Sequence, residues 1–151
     1  MDITATLATD VGAPALYEVV SDLGGYPRWL DIVGRAVEAE PDAGDPGPAW
    51  SVDLRGQLGP LRRSKRLRMV RTLAEPDRHV RFERRELDGR QHSAWVLEAT
   101  IATGADDGAT DLTMRLHYGG SLWMPMLDRI LRDEIERSRP RLVIEARSHR
   151  A

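Results

Sequence analysis

Apolar and polar residues alternate at every second position at the start of the chain, with Ile3, Ala5 and Leu7 set against Thr4, Thr6 and Ala8. This pattern predicts a first strand with one apolar face. The period then changes. Leu16, Val19, Val20 and Leu23 fall at i, i+3, i+4 and i+7, one stripe over two helical turns, with Pro14 suited to the first helical position. Gly24-Gly25 is expected to stop that helix, and Tyr26-Pro27-Arg28-Trp29 opens a second short turn ending near Val33. Arg35 to Glu40 reads as a second strand, followed by a Pro- and Gly-rich turn over 41–48. Alternation returns at Trp50, Val52 and Leu54 for a third strand, Gly59-Pro60 breaks it, and Arg66 to Leu73 forms a fourth.

Asp88-Gly89 lies between two alternating runs, a preferred sequence for a two-residue hairpin turn. That turn predicts a register in which Leu87 faces Arg90, Glu86 faces Gln91, Arg84 faces Ser93, Phe82 faces Trp95 and Val80 faces Leu97. A second hairpin closes through 104–111. Leu112, Met114, Leu116 and Tyr118 then alternate with Thr113, Arg115 and His117, bringing Ile101 opposite Leu112 and Trp95 opposite Tyr118. Gly119-Gly120 ends the last strand. Pro125 opens a long helix whose stripe is Leu127, Leu131, Ile135, Ser138 and Leu142, flanked by Ile130 and Glu134, with Pro140 expected to kink or end its regular part. Glu134 is expected to face solvent and pair with Arg137 or Arg141.

The order is strand, two short helices, six strands as successive hairpins, then one helix: an α+β chain. An antiparallel sheet with a single apolar face needs one cover, and only the last helix is long enough. The expected architecture is a curved antiparallel sheet of about seven strands wrapped around that helix. It forms one domain over 1–147, with a frayed tail at 148–151. The strand, short helix, glycine break and Tyr26-Pro27-Arg28-Trp29 order, with the Tyr118-Gly119-Gly120 strand exit, resembles the START-like (SRPBCC) superfamily. That is the Bet v 1-like helix-grip fold of polyketide cyclases and lipid-transfer domains. The resemblance covers nearly the whole chain and implies a ligand cavity between sheet and helix.

Composition narrows the chemistry. The absence of cysteine excludes disulfides, thiolate zinc sites and thiol nucleophiles. No apolar run approaches the ~20 residues of a membrane span, and the first residues show neither a basic n-region nor an apolar h-region, so the expected location is the cytoplasm. A net charge of -2 gives no general attraction to nucleic acid, and no DNA partner is expected. The segment 62–71 carries Arg62, Arg63, Lys65, Arg66, Arg68 and Arg71 without an acid. It reads as a solvated strand face balanced by Glu38, Glu40, Asp42 and Asp53, with contact to RNA, the ribosome or a membrane as the alternative.

Nucleophile-elbow, phosphate-loop and dinucleotide motifs are missing, and no cofactor is expected. His79, His92, His117 and His149 lack metal-ligand spacing, and the aspartates of 104–111 lack that of a calcium loop, so no metal is expected. Arg84 and Glu86 fall at inward parity opposite Ser93 and Gln91; they form either the polar end of a cavity or the point where the strand leaves the core. Glu86, two residues from the turn, is expected to reach solvent.

The expected function is binding or carriage of a small hydrophobic molecule such as a lipid, isoprenoid or polyketide. Its candidate contacts are Trp29, Trp50, Leu54, Met69, Phe82, Arg84, Ser93 and Trp95, continuing through Leu97, Met114, Leu116, Tyr118, Trp123, Leu127 and Leu131. Trp29 and Trp123, at element ends, are candidates for a gate or wall. The alternative implied by the resemblance is a polyketide aromatase or cyclase, with Arg84, Glu86 and Tyr118 stabilising an enolate and moving protons. No oligomeric state follows from the sequence.

Overall fold

The computed structural model describes residues 1–58, 61–120 and 124–149, with the backbone alone for 56–58, 61–64, 124–128 and 130. Strand β1 (Asp2–Thr9) leads into helix α1 (Ala13–Val20) and a 3-10 helix (Leu23–Arg28). Six strands follow: β2 (Val33–Ala39), β3 (Ala49–Leu58), β4 (Leu61–Glu75), β5 (His79–Arg84), β6 (Trp95–Thr103) and β7 (Thr110–Tyr118). Helix α2 (Met124–Ser148) comes last. The seven strands form one antiparallel sheet in the order β1-β7-β6-β5-β4-β3-β2. Each hairpin lies beside the next, and β1 closes onto β7 through an unbroken register from Asp2↔His117 to Thr9↔Thr110.

The alternation read from the sequence explains which face is buried. Val52, Leu67, Met69, Val80, Phe82, Trp95, Ala99, Ile101, Leu112 and Tyr118 join one core with Leu16, Val20, Leu23, Tyr26 and Trp29. Helix α2 contributes Leu142 and Ala146 to that core, and Leu131 and Ser138 are also buried. Ion pairs fasten its C-terminal half at three places: Arg141 to Asp31, Arg28 to Glu145 at 3.1 Å, and Arg147 to Asp10 at 3.0 Å.

Four expectations are corrected. Helix α1 ends at Val20, before the glycines, because extended Asp22 starts a new turn and its carboxylate accepts from the Gly24 amide at 2.9 Å. Gly24 and Gly25 therefore lie inside the 3-10 helix, where a Cβ on Gly25 would stand 2.9 Å from the Arg28 guanidinium.

The β5–β6 register is also displaced, with Phe82 facing Leu97 and Val80 facing Ala99. A slip of two residues keeps every side chain on its expected face. A tight type I′ turn needs positive φ at both central residues. Here Gly89 has φ +72° while Asp88 does not enter that region, its carboxylate instead accepting from the Arg90 amide at 3.0 Å. Strand β5 stops at Arg84, the Arg85 amide donates to the Arg68 carbonyl at 3.0 Å, and residues 85–94 form a loop.

The third correction is length. Strand β4 begins at Leu61 and not near Arg66, pairing with β3 as far as Leu58↔Leu61; the Gly59-Pro60 break lies outside the described residues. Finally, Pro140 does not end α2, which continues through it to Ser148. The β6–β7 pairing has the expected partners, Ile101↔Leu112 and Trp95↔Tyr118.

Candidate functional site

A cavity of about 120 Å³ lies between the inner face of the sheet and α2. Alternate residues of five strands form its floor: Ala5 and Leu7, Val52 and Leu54, Leu67 and Met69, Trp95 and Leu97, and Leu112, Met114 and Leu116. The 3-10 helix and the turn after it supply Leu23, Tyr26, Trp29, Leu30 and Ile32, while α2 adds Leu131, Glu134, Ile135, Ser138, Arg139 and Leu142. Its walls are therefore mainly hydrocarbon, thioether and aromatic ring, with polar groups at the helix and at Thr6 of β1 and Arg115 of β7. The Ser138 hydroxyl donates to the Ile135 carbonyl at 2.8 Å and so is already satisfied.

Two aromatic groups frame this space. Tyr26 lies 4.5 Å from Trp29, ring to ring, and meets Phe82 edge-on at 6.3 Å; Phe82 in turn meets Trp50 edge-on at 5.7 Å. Trp95 packs on Tyr118 at 4.7 Å. Tilted and edge-on contacts at these separations suit the ring quadrupoles.

Of the candidate contacts, Trp29, Leu54, Met69, Trp95, Leu97, Met114, Leu116 and Leu131 line the cavity. Trp50 and Phe82 point the same way but are packed in the solid core behind it, 4% and 0% exposed. Tyr118 stands one ring further out, behind Trp95. Trp123 and the Leu127 side chain lie outside the described residues.

Arg84 and Glu86 form an ion pair of 3.0 Å away from the lining. Arg84 also donates to the Ser93 carbonyl at 3.2 Å, and Glu86 accepts from the Arg68 amide at 2.9 Å. Glu86 is thus half-buried and bonded, not at the solvent-facing tip expected of it. The Ser93 side chain is not part of the lining either.

The sequence reading missed Tyr26, Leu30 and Ile32, which sit in a non-periodic segment where spacing carries no signal. It also placed Glu134 in solvent. Glu134 does pair with Arg137, yet its side chain is 14% exposed and borders the cavity. Its Oε2, like the indole nitrogens of Trp29 and Trp95, has no hydrogen-bond partner among the described residues.

Three of the described basic side chains in the segment are engaged, two of them by carboxylates. Arg66 pairs with Asp53 at 2.7 Å. Arg68 pairs with Asp45 at 2.6 Å and donates to the Glu40 carbonyl at 3.0 Å. Arg71 donates to the Ser21 carbonyl at 3.1 Å. The histidines bind carboxylates singly: His79 with Glu98, His92 with Asp88, His117 with Asp2. No group that could hold a metal occurs among the described residues, and none of their helices is long and apolar enough to cross a membrane.

No family model and no curated protein sequence matches the chain. Solved structures do. TTHA0849 from Thermus thermophilus aligns over 100% of both chains with 11% identity and a TM-score of 0.75. A START superfamily protein from Mycobacterium smegmatis aligns over 99% of this chain and 95% of its own, with 17% identity and a TM-score of 0.62. The Zhui aromatase/cyclase from Streptomyces sp. R1128 aligns over 97% and 93%, with 18% identity and a TM-score of 0.61. Identities this low speak to architecture alone, and together with the seven-stranded sheet and its long closing helix they establish that this chain has the START-like helix-grip fold.

Proposed function

We propose that this protein binds or carries a small hydrophobic molecule, of lipid, isoprenoid or polyketide character, in the cavity between sheet and α2. The observation that carries the reading is the cavity itself, with apolar side chains of the sheet converging on a space that no side chain of the described residues fills. Protein interiors are normally packed to crystal density, and leaving such a space costs stability. A guest of matching polarity offsets that cost. Leu, Met and aromatic walls give apolar contact without fixed directionality, so shape and length select the guest more than hydrogen bonds do. The protein acts in the cytoplasm in this reading.

The neutral fluorophore N-phenyl-1-naphthylamine tests it. Wild-type protein should bind the dye saturably with a blue-shifted emission. Met114→Trp, which fills the centre of the floor, should weaken binding at least about tenfold while leaving the thermal transition cooperative. Leu97→Phe, a smaller intrusion, should give an intermediate loss. Wild type that takes up no dye, or Met114→Trp that binds as well as wild type, rules the reading out.

Aromatase or cyclase chemistry is the second reading, favoured by the architecture shared with the Zhui enzyme. Its candidate groups Arg84, Glu86 and Tyr118 stand outside the cavity lining, and the first two neutralise each other. Binding is therefore the better-supported function.

A further inference from the structure

Six buried side-chain nitrogen or oxygen atoms lack a hydrogen-bond partner among the described residues, and four of them belong to residues that line the cavity. They are the indole nitrogens of Trp29 and Trp95, Glu134 Oε2 and Arg139 Nε. Buried polar groups in folded proteins are nearly always bonded, and each one left alone costs stability. Four such atoms around one space call for partners that the space itself holds.

Glu134 and Trp29 define what those partners must be. The Glu134 carboxylate straddles the cavity rim: one oxygen accepts from the Arg137 guanidinium, whose side chain is 64% exposed, while the other is buried. An ionised carboxylate only accepts, so Oε2 needs a donor. Trp29 is 2% exposed, and its ring packs on Tyr26 while the indole N–H finds no acceptor among the described residues. An indole only donates, so Nε1 needs an acceptor.

Both groups stand on one side of the cavity. Two turns beyond Glu134, on the same face of α2, Arg141 binds Asp31. Asp31 follows Trp29 by two residues and lies between Leu30 and Ile32, which line the cavity as Trp29 does. The turn that carries the indole is thus tied to the face of the helix that carries the carboxylate.

We propose that the guest is a neutral hydroxylated hydrocarbon, whose O–H donates to Glu134 and whose oxygen accepts from the Trp29 indole. The inference rests on the cavity-binding reading above and names the ligand class for it. A hydroxyl is a small neutral group that is donor and acceptor at once. A carboxylate offers no donor and brings a second negative charge beside Glu134, and a ketone or ether leaves Oε2 alone. One polar anchor then sets the direction of a molecule whose tail the apolar walls select by shape.

1-Octanol, 1-methoxyoctane and octanoate present a donor with an acceptor, an acceptor alone, and an anion. Each can be titrated at pH 7 against protein loaded with N-phenyl-1-naphthylamine. Wild type should prefer the alcohol to both others. Glu134→Met should shift the alcohol-to-ether affinity ratio about tenfold toward the ether, the size expected for one hydrogen bond to a charged group. Trp29→Phe should weaken alcohol and ether alike by about fivefold, because both present an acceptor. Wild type that prefers the ether or octanoate, or a ratio that Glu134→Met leaves unmoved, overturns the role of Glu134 and leaves the cavity reading standing. Alcohol and ether affinities that Trp29→Phe leaves unchanged overturn the indole contact. Failure of wild type to take up the dye and all three ligands overturns this inference and the cavity reading together.

Discussion

Tyr26 illustrates how one side chain serves both fold and site. Its ring forms part of the cavity wall and packs against Trp29 and Phe82, while its hydroxyl donates to the Val20 carbonyl at 2.8 Å. That carbonyl belongs to the last turn of α1, where backbone acceptors lose their helical partners. The phenol is fully buried, and burial, helped by the Asp22 charge, pushes its ionisation far above the ordinary tyrosine range. It therefore stays a neutral donor throughout the pH range of the folded protein. Tyr26→Phe preserves the ring and orphans the carbonyl, so it should lower stability by about 1–2 kcal/mol, read as a lower urea midpoint with unchanged slope. Dye binding should persist, because the wall is intact. An unchanged midpoint would mean that the Val20 carbonyl finds another donor.

At the scale of elements, α2 carries a local contradiction: Pro140 sits in its interior yet the helix continues to Ser148. Proline offers no amide to the carbonyl of Glu136, and its ring crowds that turn. What holds the helix together is tertiary, namely Leu142 and Ala146 in the core and the Arg141–Asp31 and Arg28–Glu145 pairs just beyond the proline. Pro140 is exposed, so replacing it costs no packing. Pro140→Ala should raise stability by about 1–2 kcal/mol, after allowing for the greater freedom it gives the unfolded chain. A melting temperature that falls or does not move would mean that Pro140 costs the folded helix nothing in its place.

The same contest between local pattern and tertiary contact decides what is legible in the sequence. Alternation locates all seven strands and assigns the inward faces, because a half-buried strand leaves that record. The Asp88-Gly89 signal misleads on register because Arg85 bonds back to β4 and Asp88 stays out of the left-handed region. The start of β4 is invisible because 62–66 are polar on both faces. For the site, parity identifies Leu54, Met69, Leu97 and Met114 but does not distinguish the cavity from the solid core, where Trp50 and Phe82 lie. Depth is a property of how far the sheet curls, and no spacing encodes it.

For the molecule as a whole, the carboxylates that fasten loops and helix to the sheet make stability depend on acid. The side chains of Arg68 and Asp45 are 11% and 5% exposed, and their contact pins the loop between β2 and β3 onto β4. The Arg68 guanidinium, then the Asp42 amide, hold the Asp45 carboxyl below the usual carboxylate range. Arg141 does the same for Asp31, the residue that anchors α2 beside the cavity. Each group has a lower proton affinity folded than unfolded, so acid favours the unfolded chain. Their contribution is complete above about pH 4–5, the ordinary carboxylate range, and is lost as pH falls through the lower folded values. The urea midpoint should therefore be nearly level on this account from about pH 5 to 7 and drop steeply below about pH 4. Asp45→Asn should lower the plateau at pH 7 and flatten the acid limb, so that its curve approaches wild type toward the lowest pH at which the protein still folds. Curves that stay parallel down to that pH would mean that Asp45 titrates alike folded and unfolded. The Arg68 contact would then contribute nothing to holding the loop against the sheet.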